Sequence, residues 1–138
     1  MKPVLKILAF FCLLSCISLF SFSQEYYTTT NRKALKLFEE ARQFYSLNDR
    51  AKAKQFLLEA LEKDEKFVEA HTMLGYIYGD MGQTEKAITE IKRAIEINPI
   101  TLPENFFTLA QFQIGLGYYK EAKANYSNFL KMASVNKE

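Results

Sequence analysis

From Asn31 to Lys131 apolar residues return every three or four positions, the spacing that lays one stripe along an α-helix. The pattern predicts six helices, at about 32–47, 50–63, 67–81, 84–97, 102–116 and 119–132. Breaks of a few residues separate them, as antiparallel neighbours require. Asn31 and Asp49 stand as N-caps of the first two. "TLPE" at 101–104 reads as a capping box with proline near the helix start, so Thr101 is expected to cap the Glu104 amide. One residue resists the pattern. Gly75, in "LGYIYGDMGQ", lies inside a helix, where glycine costs roughly 1 kcal/mol relative to alanine.

Aligning the sequence with itself supplies a reason. "RAKAKQFLLEALEKDEKFVEA" (50–70) and "TEKAITEIKRAIEINP" (84–99) match at an offset of 34, placing Ala53 on Ala87, Leu57 on Ile91 and Ala60 on Ala94. Upstream, Ala41 falls on Gly75 and Phe44 on Tyr78. A third copy, "FFTLAQFQIGLGYYKEAKANYSNFL" (106–130), follows at an offset of 35. There Leu109 and Ala110 answer Leu74 and Gly75, Ala122 answers Ala87, and Tyr126 answers Ile91. The extra residue falls in the turn "NPITLPEN", where insertion is cheap.

A 34-residue period with Leu-Gly, an aromatic three residues on, then Ala-x-x-x-apolar, Ala and Pro resembles the tetratricopeptide repeat. The second copy fits best, with Leu74, Gly75, Tyr78, Ala87, Ile91, Ala94 and Pro99. The first keeps Ala41, Phe44, Ala53, Leu57 and Ala60, with Glu65 in place of the closing proline. The third departs at Gln113, where an aromatic is expected, and at Phe129, where a small residue is. The resemblance implies an all-α right-handed superhelix of three helix-turn-helix repeats, about 34–67, 68–101 and 103–136, within a domain spanning 32–133. Gly75 then belongs to a series of small residues, Ala41, Gly75 and Ala110, that face Ala53, Ala87 and Ala122 where paired helix backbones come close. A larger side chain there forfeits dispersion contacts along the seam.

The first 23 residues differ in kind. Lys2 and Lys6 precede an apolar run from Ile7 to Phe22 that closes on "SFSQ". This predicts a secretory signal peptide cut between Ser23 and Gln24. A lipid on Cys16, in the lipobox-like "LLSC", and an uncleaved membrane anchor are the alternatives. Each exports the remainder, to the periplasm or the periplasmic side of an outer membrane, and leaves 24–31 as a short extension and 134–138 as a tail. Both cysteines, Cys12 and Cys16, lie in the leader, so core packing alone holds the exported domain. The chain carries 18 Lys and Arg against 16 Asp and Glu, and loss of Lys2 and Lys6 balances them. No electrostatic footprint for nucleic acid is present, and membrane association rests only on the leader.

Catalytic chemistry finds no support. The single histidine, His71, sits on the apolar face of a repeat helix, and no ligand set of metal spacing accompanies it. No Gly-rich phosphate loop occurs, and Ser127 and Ser134 have no adjacent base. The reading is non-enzymatic, with no cofactor and no metal. The concave groove of a stacked repeat is its natural working surface. Helical spacing places Leu35, Phe38, Arg42 and Tyr45 there from the first unit, and Glu69, Thr72, Tyr76 and Asp80 from the second. The third supplies Glu104, Phe107, Gln111 and Ile114. Relatives that bind chaperone C-termini use basic residues and asparagine at such places, whereas only Arg42 is basic here. Phe38, Tyr45, Tyr76 and Phe107 suggest instead a groove for an extended or helical protein segment.

Finally, "YYTTTNRKALKLFEEARQFY" behind the leader resembles the amino-terminal repeat module of Bacteroidetes envelope proteins, in which repeats precede a β-propeller and an OmpA-like domain. The resemblance implies an envelope protein as partner. The alternative function is a structural spacer or assembly interface in a larger outer-membrane complex, of type IX secretion and gliding or of peptidoglycan-associated type. The sixth helix, with Tyr126, Phe129, Leu130 and Met132, is then the contact, to further chain, to a partner or to a second copy.

Overall fold

The computed structural model describes residues 27–135. The leader reading, with Cys12 and Cys16, and the last three residues of the tail lie outside them. Six helices follow one another: α1 (Arg32–Ser46), α2 (Arg50–Lys63), α3 (Val68–Asp80), α4 (Thr84–Ile97), α5 (Glu104–Gly115) and α6 (Tyr119–Val135). No strand occurs among the described residues. Each odd-numbered helix packs on the even-numbered one after it, and α2 meets α3 as α4 meets α5. The molecule is three helical hairpins stacked in chain order.

One local device makes every hairpin. Asn48, Gly82 and Gly117 hold left-handed backbone, with φ of 64°, 71° and 80°. Behind each, an amide reaches back over the last helical turn: Asp49 to the Phe44 carbonyl at 2.9 Å, Gln83 to Tyr78 at 2.8 Å and Tyr118 to Gln113 at 2.8 Å. This closure occupies carbonyls that the helix end would leave unpaired. Asn31 accepts from the Lys33 and Ala34 amides and Asp49 from the Lys52 amide, the caps expected of them. The expected Thr101 cap does not form. The helix starts only at Glu104, and its entry residue is Pro103, with no side-chain cap. Asn98 accepts from the Ile100 and Thr101 amides, drawing Thr101 into the preceding turn.

Small residues make the seams. Ala41, Ala53, Ala87, Ala94 and Ala110 are fully buried, and Leu109 and Ala122 nearly so. A Cβ on Gly75 would lie 2.7 Å from Ile91 Cδ1 and Cγ1, and 3.3 Å from the Ala87 carbonyl oxygen. The helices thus approach through Gly75 as the repeat register demands, and the Ile91 side chain fills the space. Gly79 plays a similar part between hairpins, since its Cβ would meet the Phe112 ring of α5 at 2.6 Å. Phe44 stacks on Phe56 with ring centroids 5.3 Å apart, and Lys86 lies over the Tyr78 ring. In the third hairpin Gln113 is buried and accepts from Asn125 at 2.8 Å, so a polar pair replaces the aromatic of the other units.

His71 is buried with both ring nitrogens engaged, Nδ1 at 2.8 Å from Glu90 and Nε2 at 3.0 Å from the Glu65 carbonyl oxygen. It ties α3 to α4 and to the loop behind α2. On α6, Tyr126 and Phe129 close onto Phe107, with centroids 5.4 and 5.5 Å apart, rather than standing on an open ridge. Leu130 and Tyr119 stay exposed. Among the described residues no helix is long and apolar enough to cross a membrane.

Candidate binding groove

The inner helices α1, α3 and α5 come together around an open concavity of about 560 Å³. Phe38, Arg42, Tyr45 and Ser46 of α1 line one wall, and Glu69, Thr72, Met73 and Tyr76 of α3 the next. Leu102, Glu104 and Asn105 close it from the third unit. The spacing 38, 42, 45 and 69, 72, 73, 76 is one helical face per unit, so the same repeat that builds the stack also aligns these side chains.

Seven of the twelve groove residues expected from sequence line this space: Phe38, Arg42, Tyr45, Glu69, Thr72, Tyr76 and Glu104. Leu35, Asp80, Phe107, Gln111 and Ile114 do not line it. Phe129 stands where the other units carry Ala60 and Ala94, and its ring, with that of Tyr126, holds Phe107 against α6. Phe38 is a floor residue, only 5% exposed, whereas Tyr76 presents its ring to solvent. Glu69 and Glu104 are on the rim. Asp80 is drawn aside by the Tyr45 hydroxyl and the Arg50 Nε, each at 3.0 Å. Burial first, then the hydrogen bond to Asp80, pushes the Tyr45 phenol above its ordinary value.

The extended residues 27–31 pack against side chains that line the groove, a contact without any periodic signal in the sequence. The Tyr27 ring meets Phe38 and Phe67 edge-on, and its hydroxyl donates to Glu39 at 2.7 Å. Arg42 donates to the same hydroxyl at 2.7 Å and pairs with Glu39 at 3.3 Å. Thr28 does two things at once. Its hydroxyl donates to Glu69 at 2.6 Å and accepts from the Val68 amide at 2.9 Å, capping α3, whose own entry residue Phe67 has no capping side chain. Thr29 donates to Asp64, and Asn31 to the Lys63 carbonyl. Arg42, the expected basic residue of the groove, is therefore already engaged by this strap.

Four lining residues, Ser46, Met73, Leu102 and Asn105, carry no groove signal in the repeat. Met73 and Asn105 belong to the packed side of their helices, Leu102 to the turn before α5 and Ser46 to the end of α1. Asn105 is 1% exposed and its amide donates to the Thr72 hydroxyl at 2.9 Å. Its Oδ1 is buried with no protein partner. No cluster of three or more His, Cys, Asp or Glu suited to a metal occurs among the described residues.

Stacked hairpins around an open inner wall define an α-helical repeat protein. The family model described as tetratricopeptide repeat matches residues 68–101 and 103–136, and the α1–α2 hairpin precedes them with the same architecture. Among solved structures, MamA is similar with a TM-score of 0.73 at 20% identity, over 76% of this chain and 61% of that one. This chain thus spans less than two thirds of the MamA chain. The second tetratricopeptide domain of Spaghetti (RPAP3), bound to the HSP90 peptide SRMEEVD, follows with a TM-score of 0.69 at 16% identity, over 73% and 93%. The Sgt2 domain from Aspergillus fumigatus has a TM-score of 0.69 at 20% identity, over 75% and 68%. No curated protein sequence matches the chain.

Proposed function

We propose that this chain is an exported interaction module that holds a polypeptide segment of an envelope protein in its concave groove. The observation that carries the reading is a concavity to which all three repeats contribute side chains, walled by aromatic residues and rimmed by polar ones. A segment laid there gains apolar burial against Phe38, Met73, Tyr76 and Leu102, while rim groups set its register. The peptide-bound Spaghetti domains, similar in fold, support a peptide ligand for such a surface. The positive, apolar and small-residue regions of residues 1–23 support export, and "YYTTTNRKALKLFEEARQFY" supports a place among Bacteroidetes envelope proteins.

A second reading, an assembly interface or spacer working through α6, draws on the exposed Tyr119 and Leu130. The two separate in one experiment. The full-length chain is purified from its native envelope with its bound polypeptides, as wild type, Tyr76→Ala and Leu130→Ser. Loss of the bound polypeptide in Tyr76→Ala alone supports the groove. Loss in Leu130→Ser alone supports the interface. The mass of the same preparation reports whether the leader is cleaved, lipidated or kept.

A further inference from the structure

The ligand's chemistry can be read from which groups the groove leaves unsatisfied, an inference that rests on the groove reading above. Lysine and arginine are absent from both α3 and α5, while α2, α4 and α6 carry them throughout. The inner wall of the second and third repeats is therefore anionic where it is charged at all. Of the charged side chains lining the concavity, Arg42 is paired with Glu39. Among the described residues Glu69 receives only neutral donors, the amide and hydroxyl of Thr28, and no cationic partner. Glu104 lines the facing rim. Thr72 and Asn105, hydrogen-bonded to each other, line the same concavity, Thr72 one turn from Glu69 and Asn105 next to Glu104 in sequence. The Asn105 Oδ1 is buried without a donor among the described residues.

Two carboxylates and an orphaned carbonyl oxygen are all acceptors. A buried acceptor without a partner is costly, and a ligand that supplies the donor recovers that cost. An ammonium or guanidinium brings several donors and a charge of the right sign, and its aliphatic stem suits Phe38, Met73 and Leu102. Tyr76 offers a ring face to the same cation. We propose that the groove selects a polypeptide segment bearing a lysine or arginine, seated between Glu69 and Glu104 over Asn105. An acidic segment, the kind bound by the Spaghetti domains, would meet like charge here.

The test uses the mature full chain and an array of short synthetic peptides that share an apolar and aromatic frame. One position varies among Lys, Arg, Gln and Asp, and affinity is read by fluorescence anisotropy. Lys and Arg peptides should bind on the order of 10-fold tighter than their Asp counterparts at low salt, and the preference should shrink as salt shortens the screening length. Glu104→Gln should weaken only the cationic peptides, by about 3- to 10-fold, and Glu104→Lys should reverse the ranking. Equal or tighter binding of the Asp peptides overturns the inference and leaves the groove reading intact. Equal affinities in wild type and Glu104→Gln, with only the melting temperature changed, would assign Glu104 to the α5 terminus and also overturn it. Binding of no peptide, or binding that Tyr76→Ala leaves unchanged, overturns the groove reading itself.

Discussion

Gly75 and His71 show how single residues are held to account by their neighbours. The space a Cβ on Gly75 would need belongs to Ile91, itself fully buried, and to the Ala87 carbonyl. Gly75→Leu should therefore destabilise by about 1–3 kcal/mol through overpacking, seen as a lowered midpoint of thermal unfolding. Gly115→Leu is the control, because a Cβ there meets nothing within 4 Å and a better helix former should be neutral or slightly stabilising. His71→Ala should cost about 2–4 kcal/mol, from the lost volume and from the lost ring contacts to the Glu65 carbonyl and the Glu90 carboxylate. The small-residue positions were legible in the sequence because a steric demand repeated three times leaves a repeated residue. The partners of His71 were not, since a lone histidine on an apolar face does not say which acceptors the tertiary structure brings to it.

At the scale of helices and turns, the three hairpins depend on one left-handed residue each, and two of the three are glycine. Gly82→Ala should cost about 1 kcal/mol or more, whereas Asn48→Gly should relieve strain at the equivalent position. Opposite shifts in unfolding midpoint are the expected outcome. The helix order and most helix ends could be read from periodicity, because amphipathic stripes and polar breaks are local properties. The Thr101 cap does not form because a capping pattern needs the helix to begin beside it, and Asn98, by accepting from the Ile100 and Thr101 amides, holds Thr101 in the preceding turn. The strap at 27–31 was illegible for the opposite reason. "YTTTN" has no periodicity, and Thr28 finds its partners Val68 and Glu69 some forty residues away. Thr28→Ala should free the Val68 amide, costing about 1 kcal/mol of cap energy. Faster hydrogen exchange at that amide, with α6 unaffected, would confirm it.

Over the whole molecule, stacking turns one repeated helix face into a continuous inner wall, so the groove is a property no single hairpin has. Repeat register sets seven of the twelve expected residues around the groove, while Phe107 packs on Phe129, which stands where the other units carry a small residue. Phe129→Ala should release Phe107 from that contact, lowering stability by about 1–2 kcal/mol, since Phe129 is only half-buried. The central claim is that a polypeptide partner is held on the inner wall. A photoreactive p-benzoylphenylalanine, placed at Tyr76 in one strain and at Leu130 in another, measures this most directly in intact cells that produce the full chain. Irradiation should yield a covalent partner adduct from position 76 and none from position 130. An adduct from position 130 with none from position 76 would contradict the account.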